Sequence, residues 1–138
     1  MAVSNSIPSA LSNVTGASDL LDWFGYWPSF HDAEILELHL NNVEASVLRV
    51  HTWRMTDRVD SSGYFECDKN VVAEFRLCQI TKAELYELEG VGVAFGIRFE
   101  QTSDGIQVQI DAAYGVSGSI TAKQLQIACQ PGKPNKSQ

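Results

Sequence analysis

The sequence predicts an α+β domain that is mostly β: an antiparallel curved sheet or a two-layer β-sandwich with one short N-terminal helix. Three observations carry this reading. Apolar residues recur with a period of two in several separate stretches, the pattern of half-buried strands. The junctions between those stretches are turn-like, with no long helix between consecutive strands, which excludes parallel βαβ crossovers. A single stretch near the start, "LLDWFG", has the apolar face and the glycine stop of a short helix.

Residues 1–16 are rich in Ser, Asn, Ala and Gly and predict a flexible or loosely docked lead. Ser18 stands where a cap is expected, before a helix over 19–24 with Asp19 and Asp22 near its positive end. From Ala33 the period changes to two. In "EILELHLNN", Leu36, Leu38 and Leu40 share one face, with Glu37 and His39 on the other. "SVLRVHTWRM" repeats the pattern, with Leu48, Val50 and Thr52 opposite Val47, Arg49, His51 and Trp53. The intervening "NNVEA" is turn-like, so the two strands predict a hairpin. The polar run "TDRVDSSGYFECDKN" predicts a long loop. "VVAEFRLCQI" is a third strand with Val71, Ala73, Phe75 and Leu77 facing inward.

"TKAELYELEG" fits either one or two helical turns or a loop entering a strand. "VAFGIRFEQ" and "GIQVQIDAAYG" are strands joined by "TSDG", in which Asp104-Gly105 is a strong hairpin signal. "GSITAKQLQIACQ" is the last strand, alternating Ile120, Ala122, Gln124 and Gln126 with Thr121, Lys123, Leu125 and Ile127. The expected organisation is a lead over 1–16, a single β-rich domain over 17–130 and a polar, mobile tail over 131–138.

Composition narrows the function. The chain of 138 residues is 44% apolar and 20% charged, as ordinary globular proteins are, and carries a net charge of −7. Nucleic acid is therefore not an expected partner, because binding it needs clustered Lys and Arg. Three cysteines without CxxC spacing argue against a disulfide framework or a zinc knuckle and suit a reducing cytoplasm. Residues 1–19 have neither a basic start nor a continuous apolar core, so no secretory signal is expected there. No run approaches 18 apolar residues, so no membrane span is expected. Gly90, Gly92 and Gly96 lack the Lys and Ser/Thr of a phosphate loop, and there is no GxSxG elbow. No cofactor is expected.

The most concentrated chemistry is "FGYWPSFHDAEI", Phe24 to Ile35. Pro28 fixes its own backbone and holds Trp27 extended. Trp27, Pro28, Phe30, His31 and Asp32 then read as a structural corner between helix and first strand. His31 bonds a carbonyl or carboxylate there, and Asp32 accepts from backbone N–H groups. Two other readings of the block stand beside it. One is a small metal-dependent hydrolase centred on His31 and Asp32, with Glu34 in support and His39 and His51 converging across a strand pair. The other is a non-catalytic ligand-binding module with Trp53 and Tyr64 on a concave face.

The block, the leucine-alternating strand after it, the strand with "EFRL" and the closing "YGVSGSITAKQLQI" together resemble the immunity protein 50 family of bacterial polymorphic toxin systems. The resemblance spans most of residues 17–130, and its specific part is "WPSFHDAE". It implies a small, mostly β, cytoplasmic protein encoded beside a toxin, which it binds to protect the producing cell. It implies binding rather than catalysis and carries over no catalytic residue. Acidic and aromatic side chains then mark Glu84, Tyr86, Glu87 and Glu89 as candidate contacts to a cognate toxin with a basic surface.

Overall fold

The computed structural model describes residues 6–134. Among these, a 3-10 turn at Ser9–Leu11 and a helix α1 (Ala17–Phe24) precede six strands: β1 (Glu34–His39), β2 (Ser46–Val59), β3 (Phe65–Tyr86), β4 (Gly92–Thr102), β5 (Gly105–Tyr114) and β6 (Ser117–Pro131). Every pairing between them is antiparallel. The strands run in the order β1-β2-β3-β6-β5-β4 and the last returns to the first. The expected curved sheet is thus realised, curled until its two edges meet in a closed barrel, and no second layer of a sandwich forms. Closure removes the free edges that an open sheet exposes.

The alternation read from sequence builds the barrel interior. Leu48 and Val50 of β2 and Val71, Ala73, Phe75 and Leu77 of β3 are completely buried, and Thr52 nearly so. The β1–β2 and β4–β5 hairpins form where the turn residues place them, the second closing at Thr102↔Gly105. Asn41 organises the first turn: its side-chain oxygen accepts from the backbone N–H groups of Val43 and Glu44.

Five expectations are corrected. Leu36, Leu38 and Leu40 do not share an inward face. A bulge lies between the pairs Ile35↔Val50 and Glu37↔Arg49, so Leu36 is the extra residue and Ile35 and Leu38 point the same way. On β6 the phase also slips: Ile120 and Ala122 are buried, but so are Leu125 and Ile127. The slip lies opposite Gln79 of β3, whose φ is 59°. A residue in the left-handed region breaks the two-residue repeat on both strands.

"TDRVDSSGYFECDKN" is not a long loop. β2 and β3 continue through it as a two-stranded ribbon, tied at its tip by Asp60, whose carboxylate accepts from the N–H groups of Ser62 and Tyr64. One ribbon face carries ion pairs, with Arg54 forked onto Asp68 at 2.8 and 2.7 Å and Arg58 3.2 Å from Glu66. Arg54 holds the Asp68 carboxyl below the usual carboxylate range through these hydrogen bonds. Met55, Val59 and Phe65 are exposed on the ribbon, consistent with the other face. In "TKAELYELEG" β3 runs on past a bulge at Thr81 to Tyr86 and residues 87–90 are loop, so the strand precedes the loop and neither expected form, helical turns or a loop entering a strand, is found.

The fifth correction concerns the N-terminal end. Ser18 does not cap α1; Gly16 does, with a φ of 93° and no side-chain bond. Gly25 ends the helix as expected, its N–H donating to the Leu21 carbonyl. The described part of the lead is docked on the barrel. Leu11 is completely buried, and the Ile127 N–H donates to the Thr15 carbonyl at 2.8 Å. Residues 1–5 of the lead and 135–138 of the tail lie outside the described residues. Pro131 closes β6, and the Gly132 N–H donates to the Asn70 carbonyl.

Two features of this packing can be measured. A Cβ at position 16 would overlap the Ile127 carbonyl and demand a left-handed alanine. Gly16→Ala is expected to cost at least about 2 kcal/mol, read as a lower urea midpoint. Cys129, half-buried on β6, has its thiol pushed by burial from 9.0 to about 11, with Asp19 adding to the shift. Between those values the unfolded chain has released that proton and the folded chain has kept it. Stability therefore falls as pH rises through this window, and Cys129→Ala is expected to flatten that part of the pH–stability curve.

Candidate functional site: the acidic mouth of the barrel

The aromatic block turns the chain from α1 into β1. Trp27, Pro28 and Phe30 are buried, and the rings of Trp27 and Phe30 meet Phe75 of β3 and Phe99 of β4 in a cluster with centroids 5.6–6.4 Å apart. Phe30 adopts a φ of 65° and Asp32 one of 64°. Such backbone costs a bulky residue about 1–2 kcal/mol, which burial of the Phe30 ring, worth about 1.5–3 kcal/mol, offsets. The corner also closes the barrel. β1 and β4 pair directly at Glu34↔Val93 and Ile35↔Gly92. The seam then continues through Asp32 N–H to the Ala94 carbonyl, Ala94 N–H to the Ala33 carbonyl, and Ile97 N–H to the Ser29 carbonyl.

His31 and Asp32 stay at the surface, and among the described residues no backbone N–H donates to the Asp32 carboxylate, which was expected to accept from the turn. The His31 Nδ1–H donates to the Phe95 carbonyl at 3.2 Å, and its ring packs edge-on against Phe95. Its Nε2 lies 3.6 Å from Asp32, with both side chains about half exposed. Glu34 does not join them, because its carboxylate accepts from His51 Nδ1–H at 2.6 Å. His51 is 7% exposed; its Nε2 meets the side-chain oxygen of Asn70 at 2.9 Å and its ring lies against Trp53. His39 pairs with Val47 and His51 with Glu34, at opposite ends of the β1–β2 ladder, so the two do not converge. Trp53 and Tyr64 are likewise apart, one beside His51 and the other at the ribbon tip. Among the described residues no group of three or more His, Cys, Asp or Glu side chains is arranged to hold a metal.

Glu84, Tyr86, Glu87 and Glu89 come together at the end of β3 and in the β3–β4 loop. All four are exposed, Tyr86 by 60%, and Glu84 pairs with Lys82 at 3.0 Å. The structure adds a set of residues that the acidic pattern concealed. At this end of the barrel Leu38, Leu40, Leu85, Leu88, Gly90, Val91 and Val116 line a cavity of about 280 Å3. Leu40 is shared with a shallower cleft of about 410 Å3, lined also by Asn41, Asn42, Ile80 and Ala83. Leu88 and Val91 are 61% and 55% exposed. The available signal was the interleaving within "ELYELEGVG" of Leu85, Tyr86, Leu88 and Val91 with Glu84, Glu87 and Glu89.

Local sequence shapes this mouth. Gly92 and Gly115 allow the start of β4 and the β5–β6 turn to touch, since a Cβ on Gly92 would lie 2.7 Å from the Gly115 Cα. Between positions 36–46, 80–95 and 112–119 stand Glu37, Glu44, Glu84, Glu87 and Glu89, against Lys82. Glu37 is partly neutralised by Arg49 at 3.5 Å. The arrangement is an apolar recess whose lining residues Leu85, Leu88 and Gly90 are interleaved in sequence with the exposed Glu84, Glu87 and Glu89.

Comparison of the chain with protein-family models, with curated proteins and with solved structures finds no match. Among the described residues no helix is long and apolar enough to cross a membrane.

The corner offers a direct test of what holds it. Phe30→Ala is expected to cost about 3–5 kcal/mol in chemical denaturation, because it empties the centre of the ring cluster. Asp32→Gly relieves left-handed strain while removing an exposed pair, so its stability is expected to stay within about 1 kcal/mol of the parent.

Proposed function

We propose that this chain is a cytoplasmic immunity protein that binds and neutralises a cognate toxin by protein–protein contact, without turning over a substrate. One observation carries the reading: at the mouth of the barrel the apolar recess residues Leu85 and Leu88 are flanked in sequence by the exposed carboxylates Glu84, Glu87 and Glu89. Exposed apolar patches rimmed by polar groups mark interaction sites. These carboxylates select a basic partner, and complementary charge accelerates encounter. The resemblance of the "WPSFHDAE" block to immunity protein 50 supports the same class. The geometry of the corner agrees with a structural rather than catalytic use of that block. Its histidine is held by a backbone carbonyl, and Glu34 is engaged elsewhere.

The test is co-purification of the chain with the toxin domain encoded beside it, together with toxin activity in the presence of the chain. A stable complex and a silenced toxin are expected. Charge reversal at Glu84, Glu87 and Glu89 is expected to slow association about tenfold at low salt, with the difference shrinking as salt rises. A toxin that is neither captured nor inhibited sinks the proposal.

A further inference from the structure

We infer that the mouth recognises its partner through one bulky apolar side chain, flanked by cations, that inserts between Leu38, Leu85 and Val116. This rests on the proposed binding function and specifies the chemistry of the partner segment. Three observations converge on it. The recess of about 280 Å3 is lined by aliphatic side chains and one glycine. It falls below the roughly 300–1,000 Å3 of sites for drug-sized ligands and suits a single large side chain. Its floor is fixed: Val116 is 2% exposed, and Leu38 and Leu85 pack on the core. Its lip is open, because Leu88 and Val91 stand in solvent.

Charge sets the flanks. Glu87 and Glu89 bracket Leu88, and Glu84 precedes Leu85, so both of these leucines have a carboxylate next to them in the chain. Lys82 engages Glu84 at 3.0 Å, and among the described residues no ion pair occupies Glu87 or Glu89. A segment that buries leucine or an aromatic ring in the recess brings the residues on either side of it to these carboxylates. Lysine or arginine there is matched, and aspartate or glutamate is repelled. The cleft beyond Leu40, floored by Ile80 and Ala83, lets the chain run on across the mouth. The occupant is therefore a cationic protein segment with an apolar anchor.

The probe is a fluorescein-labelled peptide with a Leu-Phe centre between two Lys-Lys pairs, compared with a control that has serines at the centre. Anisotropy is measured against the full chain at low and high salt. The Leu-Phe peptide is expected to bind at least about tenfold more tightly than the serine control, the range expected for burying one large side chain. Leu88→Asp with Val91→Asp is expected to abolish that preference, and Glu87→Gln with Glu89→Gln to weaken both peptides at low salt. Both pairs alter exposed positions, and an unchanged thermal transition confirms the fold. Equal binding of the two peptides, no measurable binding of either, or unchanged binding by the Leu88/Val91 variant overturns the inference. So does a dimer in sedimentation that the same variant dissolves, which assigns the recess to a second copy. If the intact toxin is captured equally by parent and Leu88/Val91 variant, the immunity reading stands and the anchor fails. If the peptide preference holds and no toxin is captured, the anchor stands and the immunity reading fails.

Discussion

The structure depends on the seam where residues 29–35 meet β4. Everything else in the barrel is joined by hairpins or by the long β3–β6 ladder, but the ring is completed here alone among the described residues. The seam has few ladder pairs, so rings supply what the backbone does not. Phe30 is driven under the sheet against Phe75 and Phe99 at the cost of a left-handed backbone. The dense aromatic block of the sequence is what closing a six-stranded ring with so short a last edge requires.

The same shortness creates the mouth. β1 leaves β4 at Ile35, because β4 begins at Gly92, and β1 continues on through Leu38 with no partner on that side. The 87–91 loop carries the chain from the end of β3 to the start of β4. Leu38 and Leu85, packed on the core but only partly buried, line the recess together with Leu88, Gly90 and Val91 of that loop. Structural closure below and an open apolar recess above are two results of one register. The carboxylates sit at the opening because strand ends and loops are where charge stays hydrated.

Strand interiors were legible in the sequence wherever one face is buried and the other wet. Leu48 and Val50, or Val71 through Leu77, show this directly. The breaks in that pattern were not legible. Leu36 and Gln79 are bulge and left-handed positions occupied by residues with no bias toward either, and each reverses the facing of the residues after it. The ribbon beyond Arg54 read as a loop because it contributes to no core, so its alternation is of arginine and aspartate against exposed Met55 and Val59. Closure itself, the His51 contact with Glu34 and Asn70, and the recess under Leu88 join residues from separate strands. A local pattern carries no record of such contacts.

A ring of strands also constrains the order in which it is made. The β1–β2, β2–β3 and β4–β5 pairs close over short stretches of chain, whereas Glu34 must find Val93 across a long intervening stretch. Loop-closure entropy opposes the distant pair before any of its contacts can offset the loss. The β3–β6 ladder spans a comparable distance, so the sheet keeps bare margins until both of these non-local pairings are made. Unsealed margins are the places where a neighbouring chain can pair.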